Sequence, residues 1–419
     1  MRPISILFFA KEAQLPQHNP SASYPEGRNG RYLRFSNQMW GAGWNNLLQE
    51  RLLNTILAYE TDRAPVFSPF DAWAHPPRDD TAEDGQRKVL SIPYNALLSG
   101  PTSGMLWGPG DRHPRAVSQN YWDVVCPASE RRIVDANEVM TQLGKDPDGI
   151  RIMSEWTKLL RRMPERCVEI KGTQAFDVFL FCDARVLSLW DTLANHPTLR
   201  LLEDSEVVKD AVSRNMAKLQ SISLAQRPFI PKTTGVIQGL LGIHIRRGDF
   251  YGDKGKGHCI HLSNYADTYT GWSQLPQLRD QYAGPSREGI EKGQSTPEMR
   301  EYYRKHCIPD TDEIASRIRE ILAETHARIS HIYIANNAED EFLTDLRRAL
   351  AVDGWGPNKI TTSQELDLNW QATSVNNVVD MSILSRAEIF IGNGWSTLTS
   401  NVVMRRMTTG QLVESTRLW

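Results

Sequence analysis

The second half of the chain alternates between apolar runs and amphipathic segments, and no other feature of the sequence constrains the fold as strongly. The apolar runs have the length of buried strands, and the segments between them have helical spacing. The six segments are, in chain order, Gly239–Arg246, Thr311–Ile329, His331–Ala335, Glu339–Leu350, Val378–Ser385 and Glu388–Gly392. Strands that are apolar throughout, separated by helices, predict a parallel sheet covered on both faces.

A weaker alternation before residue 227 predicts a second α/β unit. Strands are expected at Ala64–Phe67, Val168–Ile170 and Phe176–Phe181, and an amphipathic helix begins after Gly43. The two prolines of Arg227–Lys232 break regular structure. We therefore predict an N-terminal α/β domain at 1–227, with its Gly/Asn turn at 41–46. A linker at 228–235 and a C-terminal Rossmann-like domain at 236–419 follow. Two such domains facing each other would form a cleft at the carboxyl ends of their strands.

Composition narrows the class of partner. The 419 residues include 48 Lys and Arg against 50 Asp and Glu, a formal net charge of −2, which argues against bulk nucleic acid as the partner.

The apolar run Ile4–Ala10 is too short to span a membrane, and we predict a first buried strand there; no membrane anchor is evident. Phe70–Arg115 is expected to be irregular. The 5 cysteines form no Cys-x-x-Cys pair, so a structural zinc site is not expected.

The segment GIHIRRGDF (Gly242–Phe250) carries the sharpest chemical signal. His244, Arg246 and Asp249 arrive where the buried strand should end. An arginine held at a rigid strand end can clamp a diphosphate with two hydrogen bonds and neutralise its charge. The alternative is an exposed strand end with solvated charges.

Two further segments carry weaker signals. Ser396 and Thr397 follow a strand that ends in Gly-Asn-Gly, where hydroxyls and backbone N–H groups at a helix start could bind an anion. An ordinary helix cap would look the same. Gly43, Asn45 and Asn46 could let the backbone approach a ligand and supply donors and acceptors, or they could form a plain turn. Trp44 and Trp395 lie inside these segments and are candidates for sugar stacking.

Three blocks together resemble the O-fucosyltransferases. HIRRGDF is similar to the His-x-Arg-Arg-x-Asp motif of the α1,6-, α1,2- and protein O-fucosyltransferases. GWNNLLQERLLNTILAYETDRAPVF and VVDMSILSRAEIFIGNGWSTLTSNV are similar to the N-terminal and C-terminal blocks of that family, and the blocks occur in family order. The resemblance implies a GT-B-like fold and a metal-independent, inverting transferase that uses GDP-fucose, with no cofactor.

The resemblance also implies roles for individual residues. Arg246 would clamp the diphosphate and help GDP to leave, and His244 would contact the nucleotide. Asp380 would hold the guanosine part. The remaining donor contacts would come from Gly43, Asn45, Asn46, Ser396, Thr397 and Leu398, the last standing where the family has Phe.

The general base is not determined by the motifs. One branch of the family has a glutamate just before the glycine of the first block, and Ala42 stands there in this chain. Asp249 and Asp253 are alternative candidates, and a mechanism without a protein base is also possible.

Four points of function and location stay open. The chain could use another nucleotide sugar, or it could be an impaired member that binds GDP-sugar or glycan. The resemblance implies that the N-terminal domain is the acceptor side, and the acceptor could be a protein Ser/Thr or a glycan. The resemblance implies the ER or Golgi lumen, but a cytoplasmic location stays open.

Overall fold

The computed structural model describes residues 4–37, 42–73, 89–220, 235–252, 257–265 and 268–419. The chain divides into two compact units. Unit 1 consists of Met1–Leu180, Ser188–Lys209 and Trp370–Val375; unit 2 consists of Phe181–Leu187, Asp210–Asn369 and Asn376–Trp419. The predicted linker lies outside the described residues except for Gly235, so the boundary at residue 227 stays a prediction.

The elements before the linker are mainly short strands and helices. The strands are β1 (Tyr32–Phe35), β2 (Ala64–Phe67), β3 (Phe70–Trp73), β4 (Val89–Ile92), β5 (Leu98–Ser99), β6 (Val117–Ser118), β7 (Arg132–Asp135), β8 (Cys167–Lys171) and β9 (Glu203–Asp204). The helices are α1 (Ile4–Ala13), α2 (Trp44–Tyr59), α3 (Tyr94–Leu97), α4 (Gln119–Val125), α5 (Ala136–Leu143), α6 (Gly149–Arg162), α7 (Val178–Phe181), α8 (Trp190–Ala194), α9 (Pro197–Arg200) and α10 (Glu206–Leu219).

After the linker, longer strands alternate with helices. The strands are β10 (Ile237–Ile245), β11 (His331–Asn336), β12 (Ile360–Thr362), β13 (Ala387–Gly392) and β14 (Thr416–Leu418). The helices are α11 (Gly248–Tyr251), α12 (His258–Tyr265), α13 (Pro297–Cys307), α14 (Thr311–Thr325), α15 (Asp340–Ala351), α16 (Trp370–Thr373), α17 (Asn376–Arg386) and α18 (Thr397–Thr408).

Each unit is built on one five-stranded sheet whose neighbouring strands all run parallel. The order is β6-β2-β1-β8-β7 in unit 1 and β12-β11-β10-β13-β14 in unit 2. The carboxyl ends of parallel strands lie at one edge, where open α/β sheets bind ligands. The predicted α/β class with two parallel-sheet units is confirmed.

The two faces of β10 pack against different helices of unit 2. Leu241 and Ile243 point to one face, where they join a buried aliphatic core with α14 and α15. Gly242 points to the other face, where a Cβ atom would meet Leu384 Cδ2 at 3.0 Å and Ala387 Cβ at 2.9 Å. Helix α17, which contains Leu384, therefore lies directly on the strand that carries the Arg-rich motif.

Gly242→Ala is expected to lower the free energy of unfolding by about 1–3 kcal/mol, because the added methyl group would push α17 away from β10. Chemical denaturation of the purified protein measures the change. Gly235→Ala is the matched control, because a Cβ atom there would meet nothing within 4 Å. Equal stabilities for the two variants would contradict the close packing of α17 on β10.

Two strands predicted from short apolar runs are helices. Ile4–Ala10 belongs to helix α1, which continues through Lys11 and Glu12 and packs Phe8 into unit 1. Phe176–Phe181 contains the short helix α7, and the Asp177 carboxylate accepts from the Leu180 backbone N–H at 2.9 Å. Runs of six or seven apolar residues suit a strand or a buried helix turn equally, so tertiary packing decides between them.

The segment Phe70–Arg115, predicted to be irregular, contains regular elements in its described part. Strands β3 and β4 pair antiparallel, and β5 pairs antiparallel with β9. Helix α3 lies between β4 and β5.

Two disulfides join distant segments within the units. Cys126 bonds to Cys167 in unit 1, and Cys259 bonds to Cys307 in unit 2. Cys182 lies outside both bonds. The sequence alone does not determine this pairing.

Candidate functional site

Arg246 stands at the carboxyl end of β10, immediately after the last strand residue. Its Nη2 donates to the Asp249 carboxylate, with 2.8 Å to Oδ1 and 3.0 Å to Oδ2, and its guanidinium lies 5.3 Å from the centre of the Phe250 ring. About 36% of the Arg246 side chain is exposed, so one face of this cation is open to a ligand. The two motif residues Arg246 and Asp249 are thus brought together as an ion pair.

A tight turn fixes the backbone that follows Arg246. The Arg247 backbone N–H donates to Asn337 Oδ1 at 2.7 Å, and Gly248 has a φ of +31°. The Arg247 guanidinium lies 4.3 Å from the Tyr251 ring centre and 4.0 Å from that of Phe342. Arg247 is therefore engaged in holding the turn, and Arg246 is left to face the sheet edge.

His244 is buried beside this strand end. Its side chain is 5% exposed, and its Nδ1 lies 2.9 Å from the Thr399 hydroxyl on α18. Burial, together with the nearby charge of Arg246, lowers the pKa of His244 to about 3. The ring is consequently neutral at physiological pH, and it connects β10 to the first turn of α18.

The N-terminus of α18 lies at the same edge of the sheet, because α18 follows β13 and β13 is the neighbour of β10. Ser396 occupies the N-cap position, and its side chain makes no capping bond to the helix. Ser396 is buried, whereas Thr397 and Leu398 are half-buried. The first-turn N–H groups of a helix have no carbonyl partner within it and attract anions.

Residues 268–275 hold the loop that leads into α18 through backbone and side-chain contacts. The Thr270 backbone N–H donates to the Gly394 carbonyl at 2.8 Å, and the Trp272 N–H donates to the Ser400 hydroxyl at 2.9 Å. A Cβ atom on Gly394 would lie 2.4 Å from the Tyr269 ring, so glycine is required there. These contacts hold the helix start in place.

Asp380 lies on α17 and faces β11. The Tyr333 hydroxyl donates to Asp380 Oδ1. Burial raises the pKa of Asp380 to about 7, and the Tyr333 hydrogen bond opposes part of that rise. Tyr333 was not recognised from the sequence, because its partner is 47 residues away and only the fold brings them together.

The first-block residues belong to unit 1. Gly43 caps α2, and its carbonyl accepts from the Asn46 N–H at 3.0 Å. Asn45 and Asn46 are half-buried in the first turn of α2. Trp44 is 1% exposed and Trp395 is 4% exposed, so both are core residues and the prediction that they stack on sugar is wrong.

Unit 1 also contains a cleft of about 400 Å³ at the carboxyl edge of its sheet. It lies beside the ends of three neighbouring strands, β6, β2 and β1. Its lining residues include Glu12, Arg34, Ala42, Asp71 and Gln119. Glu12 was not recognised from the sequence, because it lies just after the strand predicted at Ile4–Ala10 and nothing local indicates that a helix brings it to a cleft.

Some predicted features stay untested. Asp253 lies outside the described residues. Within the described part of the chain, no group of three or more His, Cys, Asp and Glu side chains is placed to hold a metal ion.

Comparison with known proteins identifies the family. Residues 164–409 match the family described as GDP-fucose protein O-fucosyltransferase. No curated protein matches the chain at a significant level. The solved structure of POFUT1 in complex with GDP-fucose is similar, with a TM-score of 0.55, 16% identity and coverage of 91% of this chain and 96% of that one. A POFUT1 complex with GDP gives the same values, a TM-score of 0.55, 16% identity, and 91% and 96% coverage.

The family match agrees with the motif residues found at the carboxyl edge of the unit 2 sheet. At 16% identity the structural likeness shows the shared fold. The family match spans more than half of the chain and includes the Arg246 motif, Asp380 and the start of α18. The chain therefore belongs to the GDP-fucose protein O-fucosyltransferase family and is a fucosyltransferase, as its three motif blocks predicted.

Proposed function

We propose that the protein transfers fucose from GDP-fucose to a hydroxyl acceptor, with inversion at the sugar carbon and without a metal ion. One observation carries the proposal. Arg246 and the N-terminus of α18 lie at the carboxyl edge of two neighbouring strands, β10 and β13. A guanidinium and a set of helix N–H groups can together neutralise a leaving diphosphate, as Mg²⁺ does in other enzymes.

In this proposal the remaining residues of unit 2 have separate tasks. Asp249 keeps Arg246 oriented until the diphosphate competes for it. Ser396 and Thr397 offer hydroxyls beside the helix N–H groups, next to Leu398. His244 acts as a positioning residue, because its buried ring contacts Thr399 and is shielded from a ligand. Asp380 accepts from the guanine ring, while Tyr333 holds one of its oxygens.

The proposal is tested by titrating GDP-fucose, GDP-mannose and UDP-galactose into the protein in the presence of EDTA, and by following the release of GDP over hours. Micromolar binding selective for GDP-fucose, together with slow GDP release, is the expected result. Absence of GDP-fucose binding, or binding that requires a divalent cation, would contradict it.

A second candidate function is a binding module of impaired activity. Ala42 favours it, since a carboxylate is missing where one branch of the family has glutamate. Binding of GDP-fucose without any GDP release, even with a broad panel of acceptors, would support this alternative. Preference for another sugar nucleotide in the same titration would indicate a different donor.

We also propose a location in the lumen of the secretory pathway. The family and the two disulfides support it, because disulfides persist in oxidising compartments. Within the described residues, no helix has both the length and the apolar character needed to cross a bilayer.

The affinity for GDP-fucose is expected to rise several-fold between pH 5.5 and pH 8. The pKa of Asp380 is raised to about 7 by burial, so this carboxyl is protonated at the lower pH and ionised, as a better acceptor for guanine N–H groups, at the higher one. GDP-fucose suits the measurement, because its diphosphate diester does not titrate in this range. Calorimetric titration at both pH values measures the effect.

Asp380→Asn is the matched variant for this pH dependence. It should bind GDP-fucose weakly and equally at both pH values. His244 cannot produce the effect, because its pKa lies near 3. An unchanged pH dependence in Asp380→Asn would show that another group is responsible.

A further inference from the structure

A side chain continues the ladder between β10 and β11 beyond its last pair of residues. The register of the two strands ends at Ile245 and Asn336. The Arg247 backbone N–H then donates to the side chain of Asn337, at 2.7 Å to Oδ1. An amide oxygen accepts such a bond as a strand carbonyl would. Asn337 thus ties the chain to the end of β11 where it leaves the sheet, one residue after Arg246.

The same amide also packs against the turn that follows. A Cβ atom on Gly248 would lie 2.5 Å from Asn337 Nδ2 and 3.2 Å from its Cγ, so the amide lies directly against this glycine. The Phe250 backbone N–H donates to the Arg247 carbonyl at 2.6 Å and closes the turn. One side chain from the end of β11 therefore contacts both residues of the turn, Arg247 and Gly248.

The turn determines where the partners of Arg246 lie. The Asp249 carboxylate, which accepts from Arg246 at 2.8 Å, and the Phe250 ring, 5.3 Å from its guanidinium, both follow the turn in α11. A shift of the turn would move both partners, and the long Arg246 side chain would lose its fixed direction. The orientation of Arg246 therefore depends on the turn that Asn337 holds.

Asn337 differs from the other brace of this turn because it is exposed. The Arg247 guanidinium lies over the rings of Tyr251 and Phe342, and Phe342 packs against the buried core of unit 2. Replacing Arg247 would therefore disturb packing as well as the turn. Asn337 is an exposed side chain, and substitutions at exposed positions usually change stability little. Its contact with the turn can be removed while the core stays intact.

We propose that Asn337 is a positioning residue for Arg246, holding the Arg247–Gly248 turn so that the guanidinium faces the leaving diphosphate. The inference rests on the proposed function, because it assumes that a diphosphate leaves at this edge of the sheet. Asn337 itself takes no part in bond breaking. Arg246 stabilises charge that develops in the transition state, so a misdirected guanidinium lowers kcat more than donor affinity.

Water is the acceptor in the test, because hydrolysis of GDP-fucose needs no knowledge of the natural acceptor. Asn337→Ala is expected to lower kcat for GDP release about 10–100-fold, while the Kd for GDP-fucose changes less than about three-fold. Asn337→Asp keeps an oxygen where the Arg247 N–H donates, so its kcat should stay within about five-fold of the wild type. Asn358→Ala is the control, because Asn358 is exposed and precedes β12, at the amino end of the same sheet.

A double-mutant cycle separates positioning from a general effect on the fold. If Asn337 acts through Arg246, its loss has no consequence once the guanidinium is gone. Asn337→Ala in an Arg246→Ala background should therefore lower kcat less than about two-fold, with GDP release followed over days. A residue that only stabilised the fold would lower the rate by the same factor in both backgrounds. Urea denaturation of each variant measures its folded fraction.

Three results would overturn the assignment while the donor site stands. They are a wild-type kcat in Asn337→Ala, an equal loss in both backgrounds of the cycle, and a loss in Asn337→Asp as large as that in the alanine variant. Absence of GDP-fucose binding or of turnover in the wild type would instead contradict the proposed function, and with it the role of Asn337.

Discussion

Arg246→Ala is expected to lower kcat/KM for GDP-fucose by about 10³-fold, which corresponds to about 4 kcal/mol of transition-state stabilisation. The diphosphate gains negative charge as the bond to fucose breaks, and Arg246 is the cation that the end of β10 holds at this edge of the sheet. A fixed guanidinium stabilises the developing charge more than the ground state, so kcat should fall more than affinity.

The charge and the shape of the guanidinium can be tested separately. Arg246→Lys retains the charge but loses the two-pronged geometry, so its activity should lie between that of the wild type and that of the alanine variant. Arg348→Ala is the control, because its exposed side chain pairs with Asp345 on the same helix. GDP release assays and calorimetry measure the kinetic and binding effects. Full activity in Arg246→Ala would remove Arg246 from the donor site.

The sequence predicted the C-terminal sheet well because its strands are long and apolar on both faces. Five of the six segments proposed there became the same kind of element within about two residues of the expected bounds, and helix α14 ended four residues earlier than predicted. The position of Arg246 at a strand end followed directly from this pattern. Local sequence determines such a site, because the motif and the strand that presents it are contiguous.

Contacts between distant residues could not be predicted. Tyr333 and Asp380 meet because β11 and α17 pack together, and the sequence contains no local sign of this pair. Glu12 reaches the cleft because α1 packs on α3 and β4, whereas the sequence predicted a strand where α1 begins. Trp44 and Trp395 lie within motifs but are buried, because a motif position does not specify which way a side chain points.

The second large effect is expected at Arg406, which is fully buried on α18. Its guanidinium donates to the Ala387 carbonyl at 2.6 Å, to Thr416 Oγ1 at 2.8 Å and to the Ser415 carbonyl at 3.0 Å. These contacts join α18 to the start of β13 and to the approach to β14. Burial lowers the pKa of Arg406 to about 9, so it remains protonated at neutral pH.

Arg406→Met should lower the free energy of unfolding by about 3–5 kcal/mol. Methionine fills much of the space but donates no hydrogen bond, so several buried carbonyl groups lose their partners. Chemical denaturation measures the loss, and Arg348→Met provides an exposed arginine as control, with an expected change below about 0.5 kcal/mol.

The same variant tests whether the Arg406 contacts are needed to align the start of α18 for the donor. Arg406 lies in the last turns of α18, far along the helix from Ser396 and Thr397, so it cannot touch a diphosphate at the helix start. If the α18 N-terminus binds the donor, saturating GDP-fucose should stabilise the folded Arg406→Met protein by an amount set by its affinity. If GDP-fucose stabilises Arg348→Met but fails to stabilise Arg406→Met, the Arg406 contacts are needed to align the helix start. Equal protection of both would mean that the helix start keeps its geometry and that Arg406 contributes to stability alone.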